Sequence, residues 1–125
     1  MTHPDEVVTF TIGQVANLKK ISTYTLRYYD EKGLLPKVMR DQNGTRHFTR
    51  EDLQWLDMTK CLKNTGMSLE QIKYFVDSTY QGAKTLEQRI ELLKNQVKKI
   101  NLTILEQQNY IEQINKKIKI LTNEK

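Results

Sequence analysis

Cysteine is nearly absent from this sequence: Cys61 is the single one among 125 residues, beside two prolines, two histidines and five glycines. A lone cysteine closes no intramolecular disulfide and offers no Cys-x-x-Cys metal pair, which suits a reducing cytoplasmic location. His3 and His47 stand far apart, no glycine-rich phosphate loop is present, and Cys61 has no histidine beside it. These gaps argue against an enzyme. No apolar run approaches the length needed to cross a bilayer. Residues 1–9, broken by Pro4, Asp5 and Glu6, lack the apolar core of a signal peptide and read as a flexible N-terminus. The sequence therefore calls for no catalytic residue, no metal, no cofactor and no membrane partner.

Apolar residues are also scarce, at 38%, with a mean hydropathy of −0.66. That is little for a self-supporting globule, so part of the chain is extended or buries its apolar surface against a partner. Charge leans to one sign: the formal net charge is +5 and the pI about 9.3, which favours an anionic partner such as nucleic acid. The excess is uneven. Residues 19–50 hold eight basic against three acidic side chains, a basic segment inside a nearly neutral first two-thirds of the chain.

Helix starts are well marked. Thr11-Ile12-Gly13-Gln14, Ser68-Leu69-Glu70-Gln71 and Thr85-Leu86-Glu87-Gln88 fit the capping box, and Thr49-Arg50-Glu51-Asp52 is its aspartate form. Ser22 caps one more helix without the reciprocal residue. Gly33, Gly66 and Gly82 stand where helices end with a positive φ. These signals give helices over 12–18, 23–32, 50–64 and 69–79. The first two, joined by the short turn at 19–21, read as helix-turn-helix. Val38–Arg40 and Thr45–Phe48 flank Asp41-Gln42-Asn43-Gly44, and Asn-Gly marks a hairpin because both residues tolerate positive φ. A hairpin after a helix-turn-helix is a wing. Trp55 and Phe75 are expected to help close the core.

From residue 86 onward the apolar positions alternate in steps of four and three: Leu86, Ile90, Leu93, Val97, Ile100, Ile104, Gln107, Ile111, Ile114, Ile118 and Leu121, with Gln107 the one polar member. A mean step of 3.5 residues stays on one face only if the helix supercoils with another, so this set is read as a dimerisation seam. The β-branched residues at 90, 97, 104, 111 and 118 favour two strands, and Gln107 fixes register at some loss of stability. The alternative is a helix folded back on its own head. Leu92, Leu102, Leu105, Tyr110 and Ile120 lie off the seam. The fold class is thus mainly α, with a winged helix-turn-helix head over 10–80, a linker at 81–84, a coiled-coil helix over 85–121 and a tail at 122–125.

The head resembles the MerR family of transcription regulators. The matching strings are Phe10-Thr11-Ile12-Gly13-Gln14-Val15-Ala16, Thr25-Leu26-Arg27-Tyr28-Tyr29-Asp30-Glu31-Lys32-Gly33-Leu34-Leu35-Pro36, Asn43-Gly44-Thr45-Arg46-His47-Phe48 and 62–72. The similarity covers about residues 10–78. It implies a homodimer joined by an antiparallel coiled coil, bound to a pseudo-palindromic promoter operator in double-stranded DNA. It further implies that the dimer bends and untwists the spacer between promoter elements, acting on RNA polymerase indirectly through the promoter. Thr45 and Phe48 depart from the pattern, standing where an aromatic and a tyrosine are common.

On this reading the helix over 23–32 enters the major groove, leading with Ser22, Thr23, Tyr24 and Thr25. The resemblance places Arg27 and Tyr28 on phosphate or sugar, with Arg46, Lys37 and Arg40 following from the wing. Tyr29 is assigned to the core and His47 to the wing surface. The family's metal sensors carry several cysteines around the long helix, which this chain lacks, and its drug sensors carry a large ligand domain, where only four residues follow Leu121. Cys61, in Lys60-Cys61-Leu62, matches the small single-cysteine subgroup that responds to reactive aldehydes or thiol stress. Lys60 and Lys63 would favour its thiolate; the alternative is an inert, buried thiol. Two rival functions remain open at this level: an architectural or recombination-accessory DNA binder, and a coiled-coil adaptor for protein.

Overall fold

The computed structural model describes residues 7–125. The elements run β1 (Thr9–Phe10), α1 (Ile12–Lys19), α2 (Thr23–Glu31), β2 (Met39–Arg40), β3 (Arg46–Thr49), α3 (Arg50–Asn64), α4 (Leu69–Thr79), a 3-10 turn (Gly82–Thr85) and α5 (Leu86–Asn123). The chain divides between Lys84 and Thr85 into two compact units.

Local chemistry sets most boundaries in the first unit. At α1 the Gln14 N–H donates to Thr11 Oγ1 and the Thr11 N–H donates to Gln14 Oε1, at 3.1 and 2.8 Å. Thr49 and Asp52 form the same reciprocal cap at α3, each such cap being worth about 1 kcal/mol. Ser22 Oγ accepts from the Thr25 N–H, and Ser68 Oγ from the Gln71 N–H, at the starts of α2 and α4. The chain leaves α2 through Gly33 at φ +80° and α3 through Gly66 at φ +94°, conformations that glycine adopts without penalty.

Three strands form one small sheet in the order β1-β3-β2, both pairings antiparallel. Thr9 faces Thr49, Phe10 faces Phe48, Met39 faces His47 and Arg40 faces Arg46. Residues 1–9 were expected to be a flexible terminus; instead Thr9 is a strand residue, and residues 1–6 lie outside the described part. The physical reason is that β3 has two edges, and the run Val7-Val8-Thr9-Phe10 is β-branched and aromatic, suited to pairing on the one β2 leaves free.

The hairpin also differs from expectation. The Gly44 N–H donates to Asp41 O at 2.9 Å and the Asp41 N–H to Thr45 O at 3.1 Å. Gly44 has φ +78°, but Asn43 does not take a positive φ. This is a three-residue loop in which Gly44 alone is left-handed, not a two-residue turn with both residues so placed. Asp41 decides it: its Oδ1 accepts from the Asn43 and Thr45 N–H groups, which organises the chain one residue earlier.

Val15, Leu26, Leu35, Phe48 and Leu56 form a buried cluster, with Phe10, Ile12, Ala16, Ile21, Tyr29, Val38, Leu53 and Trp55 packed around it. Phe48 is fully buried, so a phenol there would have to place its hydroxyl in an apolar core. Trp55 meets Phe75 edge to face at 5.7 Å and donates its indole N–H to the Tyr80 hydroxyl at 2.8 Å.

In the second unit α5 is continuous for 38 residues, which is roughly 57 Å at about 1.5 Å per residue. Its start corrects one expectation. Thr85 makes no side-chain cap, because the preceding 3-10 turn already winds the chain into the helix and Thr85 Oγ1 accepts from Arg89 Nε instead. Val97, Ile104, Ile111, Ile114, Ile118 and Leu121 remain between 47 and 60% exposed. Leu86, Ile90 and Gln107 are exposed as well, and Leu93 and Ile100 are half-buried. Six large apolar side chains left about half open along one helix form a long unsatisfied stripe.

Candidate nucleic-acid interface

The first turn of α2 presents hydroxyls and one projecting ring. Ser22 and Thr25 hold each other, Ser22 Oγ donating to Thr25 Oγ1 at 2.9 Å, so these two are ordered rather than free to rotate. Thr23 is half-buried, while Tyr24 is 76% exposed and is the side chain that projects. One turn on, Arg27 is exposed. Tyr28 is partly exposed, with the Lys32 ammonium 5.5 Å from its ring centre. Tyr29 turns the other way into the core, where burial first and neighbouring Tyr28 second push its hydroxyl's pKa up. The pattern follows helical geometry, since residues three and four apart share a face.

What aims α2 is the turn that joins it to α1, whose end is in turn tied to α3. Between α1 and α2, Lys20 takes the left-handed conformation at φ 54° and donates its N–H to Ala16 O. A non-glycine residue there costs about 1–2 kcal/mol, and the surroundings offset it. Lys60 Nζ on α3 donates to Lys19 O at 3.0 Å, capping the end of α1. Lys19 Nζ pairs with Asp57 at 3.0 Å.

The wing is anchored by two carboxylates that the sequence reading had not assigned to the site. Asp52, fully buried, accepts from the Thr49 N–H, the Thr49 hydroxyl and the Lys37 N–H, each at 2.9 Å. Burial pushes its carboxyl above the ordinary range, and these donors recover only part of the rise. Asp30, on α2, accepts from Arg46 Nε at 2.7 Å and Arg40 Nη2 at 3.4 Å. Arg46 also lies 3.6 Å from Glu31, and Arg40 Nη1 donates to Gly44 O, closing the hairpin. At the tip His47 Nε2 lies 3.0 Å from Asp41 Oδ2. That contact first, with the backbone donors of Thr45 and Asn43, holds the Asp41 carboxyl below its usual range.

Of the three basic wing-region side chains, Lys37 is exposed with its ammonium 4.9 Å over the Tyr80 ring, and Arg40 is half exposed. Arg46 is only 14% exposed and is held by Asp30, so its first job is joining the wing to α2. Cys61 is exposed on α3 rather than buried, and of the two lysines beside it Lys60 is occupied at the α1 terminus. Among the described residues no group of three metal-ligating side chains comes together, and no helix is long and apolar enough to cross a membrane.

Residues 10–79 match the model of the MerR HTH family regulatory proteins. The chain belongs to the MerR family. An uncharacterized HTH-type transcriptional regulator of Haemophilus influenzae is 47% identical over 111 residues, spanning 89% of this chain and 82% of that protein. Among solved structures, that of HiNmlR, a MerR family regulator lacking the sensor domain and bound to promoter DNA, aligns with a TM-score of 0.80 at 47% identity. It covers 89% of this chain and 88% of that one. A MerR family regulator from Bacillus thuringiensis aligns with a TM-score of 0.76 at 38% identity, covering 89% and 97%. The chain is thus a MerR-family transcriptional regulator, and the helix-turn-helix, wing and long helix are that family's architecture. The family match ends at residue 79, so α5 lies wholly beyond it.

Proposed function

We propose that this regulator works as a homodimer, zipped along the α5 stripe, that binds a pseudo-palindromic promoter operator in the cytoplasm. Each head sets α2 in a major groove with Tyr24, Thr23 and Arg27 leading, and lays its wing on the flanking backbone through Lys37 and Arg40. The dimer bends and untwists the intervening spacer and so controls RNA polymerase through the shape of the promoter. Distorting a short duplex in this way costs on the order of a few kcal/mol, which twin sets of contacts offset.

The observation that carries this reading is the joining of α2 to the wing through Asp30, which holds Arg46 and Arg40, with Arg27 and Lys37 exposed on the two elements. The promoter DNA bound by HiNmlR supports it. We assign the inducer response to Cys61, on the strength of an exposed thiol one residue from the Lys60 that caps α1.

The test begins with duplexes selected from a random-sequence library by the protein itself. Arg27→Ala is expected to weaken binding to the selected duplex roughly tenfold with the dimer intact. Affinity should fall steeply with salt as phosphate counterions are released. Selection of no sequence, or salt-independent binding, refutes the DNA reading. Cys61→Ala that still answers methylglyoxal, formaldehyde or diamide refutes the sensor assignment alone.

A further inference from the structure

One carboxylate on α2 holds both strands of the wing. Arg40 and Arg46 are cross-strand partners, and both guanidiniums reach Asp30 Oδ2, at 3.4 and 2.7 Å. Asp30 and Arg46 are each 14% exposed, so this is a largely desolvated contact rather than a surface pair. Hydrophobic packing reaches this edge only at Val38, just before it: β2 itself is two residues long and both are exposed, and so short a pairing is marginal by itself. Asp52 secures the base of the wing to α3 through Lys37; Asp30 secures its stem to α2.

We propose that Asp30 is a positioning residue for sequence recognition, fixing the distance between α2 and the wing so that both meet the duplex in register. The proposal rests on the DNA-binding reading above. Without Asp30 the two arginines would turn to whichever phosphate is nearest, and such contacts carry no sequence information. With it, they are held at one place relative to the residues that face the bases. The carboxylate therefore weakens general attraction to DNA while sharpening discrimination, and the two effects have opposite signs.

That opposition makes the proposal measurable. Asp30→Asn removes one negative charge and keeps the shape. Against a duplex selected by the wild-type protein, D30N is expected to lose about tenfold in affinity, comparable to one mismatched base pair. Against a scrambled duplex of the same length and composition it is expected to bind as well as wild type or more tightly, with a salt slope steeper by about one phosphate. The ratio of the two affinities therefore falls at least tenfold, about the discrimination carried by one base pair, and Asp30→Glu, which restores the carboxylate, recovers part of it.

An equal gain on both duplexes would mean that Asp30 only repels DNA, and overturns the proposal. So does an unchanged ratio, or an equal loss on both duplexes with a lowered melting temperature, which marks a purely structural role. If D30N does not fold, Arg40→Gln, at a half-exposed side chain, is expected to lower the ratio by a smaller factor, and an unchanged ratio there overturns it too. Failure of the wild-type protein to select any duplex would instead sink the DNA-binding reading itself.

Discussion

If α5 pairs as proposed, removing side chains from its stripe should break the dimer without weakening the helix. Ile111 and Ile118 lie one heptad apart and are 56 and 53% exposed in the single chain. Fully covering an isoleucine is worth about 1.5–3 kcal/mol, so closing the exposed half of each gives roughly 1–1.5 kcal/mol. A symmetric pair doubles every substitution. Ile111→Ala with Ile118→Ala therefore removes four side chains from the interface, about 3–5 kcal/mol in all once the retained Cβ atoms are allowed for. That corresponds to roughly two to three and a half powers of ten in the dimer Kd. Alanine is the better helix former, so α5 itself gains slightly and the loss belongs to association. Sedimentation equilibrium over a concentration series measures it, with far-ultraviolet circular dichroism to check helix content. Leu102→Ala with Leu105→Ala is the control: both residues are more exposed, at 66 and 60%, yet lie off the four-three face. A dimer Kd unmoved by the Ile111/Ile118 pair, or moved equally by the control, refutes the assignment of the seam.

Two further perturbations probe the head. Thr59 is fully buried and its hydroxyl has no hydrogen-bond partner, so Thr59→Val is expected to stabilise by about 1 kcal/mol and raise Tm by a few degrees in thermal unfolding; a lower Tm would show that the hydroxyl is satisfied. Asp52 sets a pH dependence. Its folded pKa lies above the ordinary 3.8, so the native state holds the proton more tightly. The stability it contributes is full below 3.8 and is lost as pH rises through the folded value. The difference in Tm between wild type and Asp52→Asn should therefore be largest on the acid side and shrink with rising pH, and growth with pH would refute this.

The sequence made legible what is decided within a few residues. Thr11 with Gln14 and Thr49 with Asp52 announce helix starts because the hydrogen bonds that make them span three residues. The four-three spacing exposes the stripe on α5 for the same reason. What stayed hidden was decided by partners distant in the chain. Thr9 becomes a strand only because Thr49, forty residues later, offers an unpaired edge. Lys20 is left-handed with no glycine to advertise it, held by contacts that α3 makes with the end of α1. Arg46 read as a phosphate contact from its type and place in the motif, yet its first partner is Asp30, sixteen residues earlier. Asp30 was present in the recognised string, but nothing local distinguishes an acid that clamps a hairpin from one that faces water.

Thr49 is both the last residue of β3 and the N-cap of α3, with φ −91° and ψ 168°. A strand that turns into a helix at a single shared residue leaves no slack between them. Its N–H and hydroxyl are both fastened to Asp52, so the joint is held at two points. A displacement of the hairpin is thus expected to reach α3 with little give, the helix acting more as a lever than as a cushion.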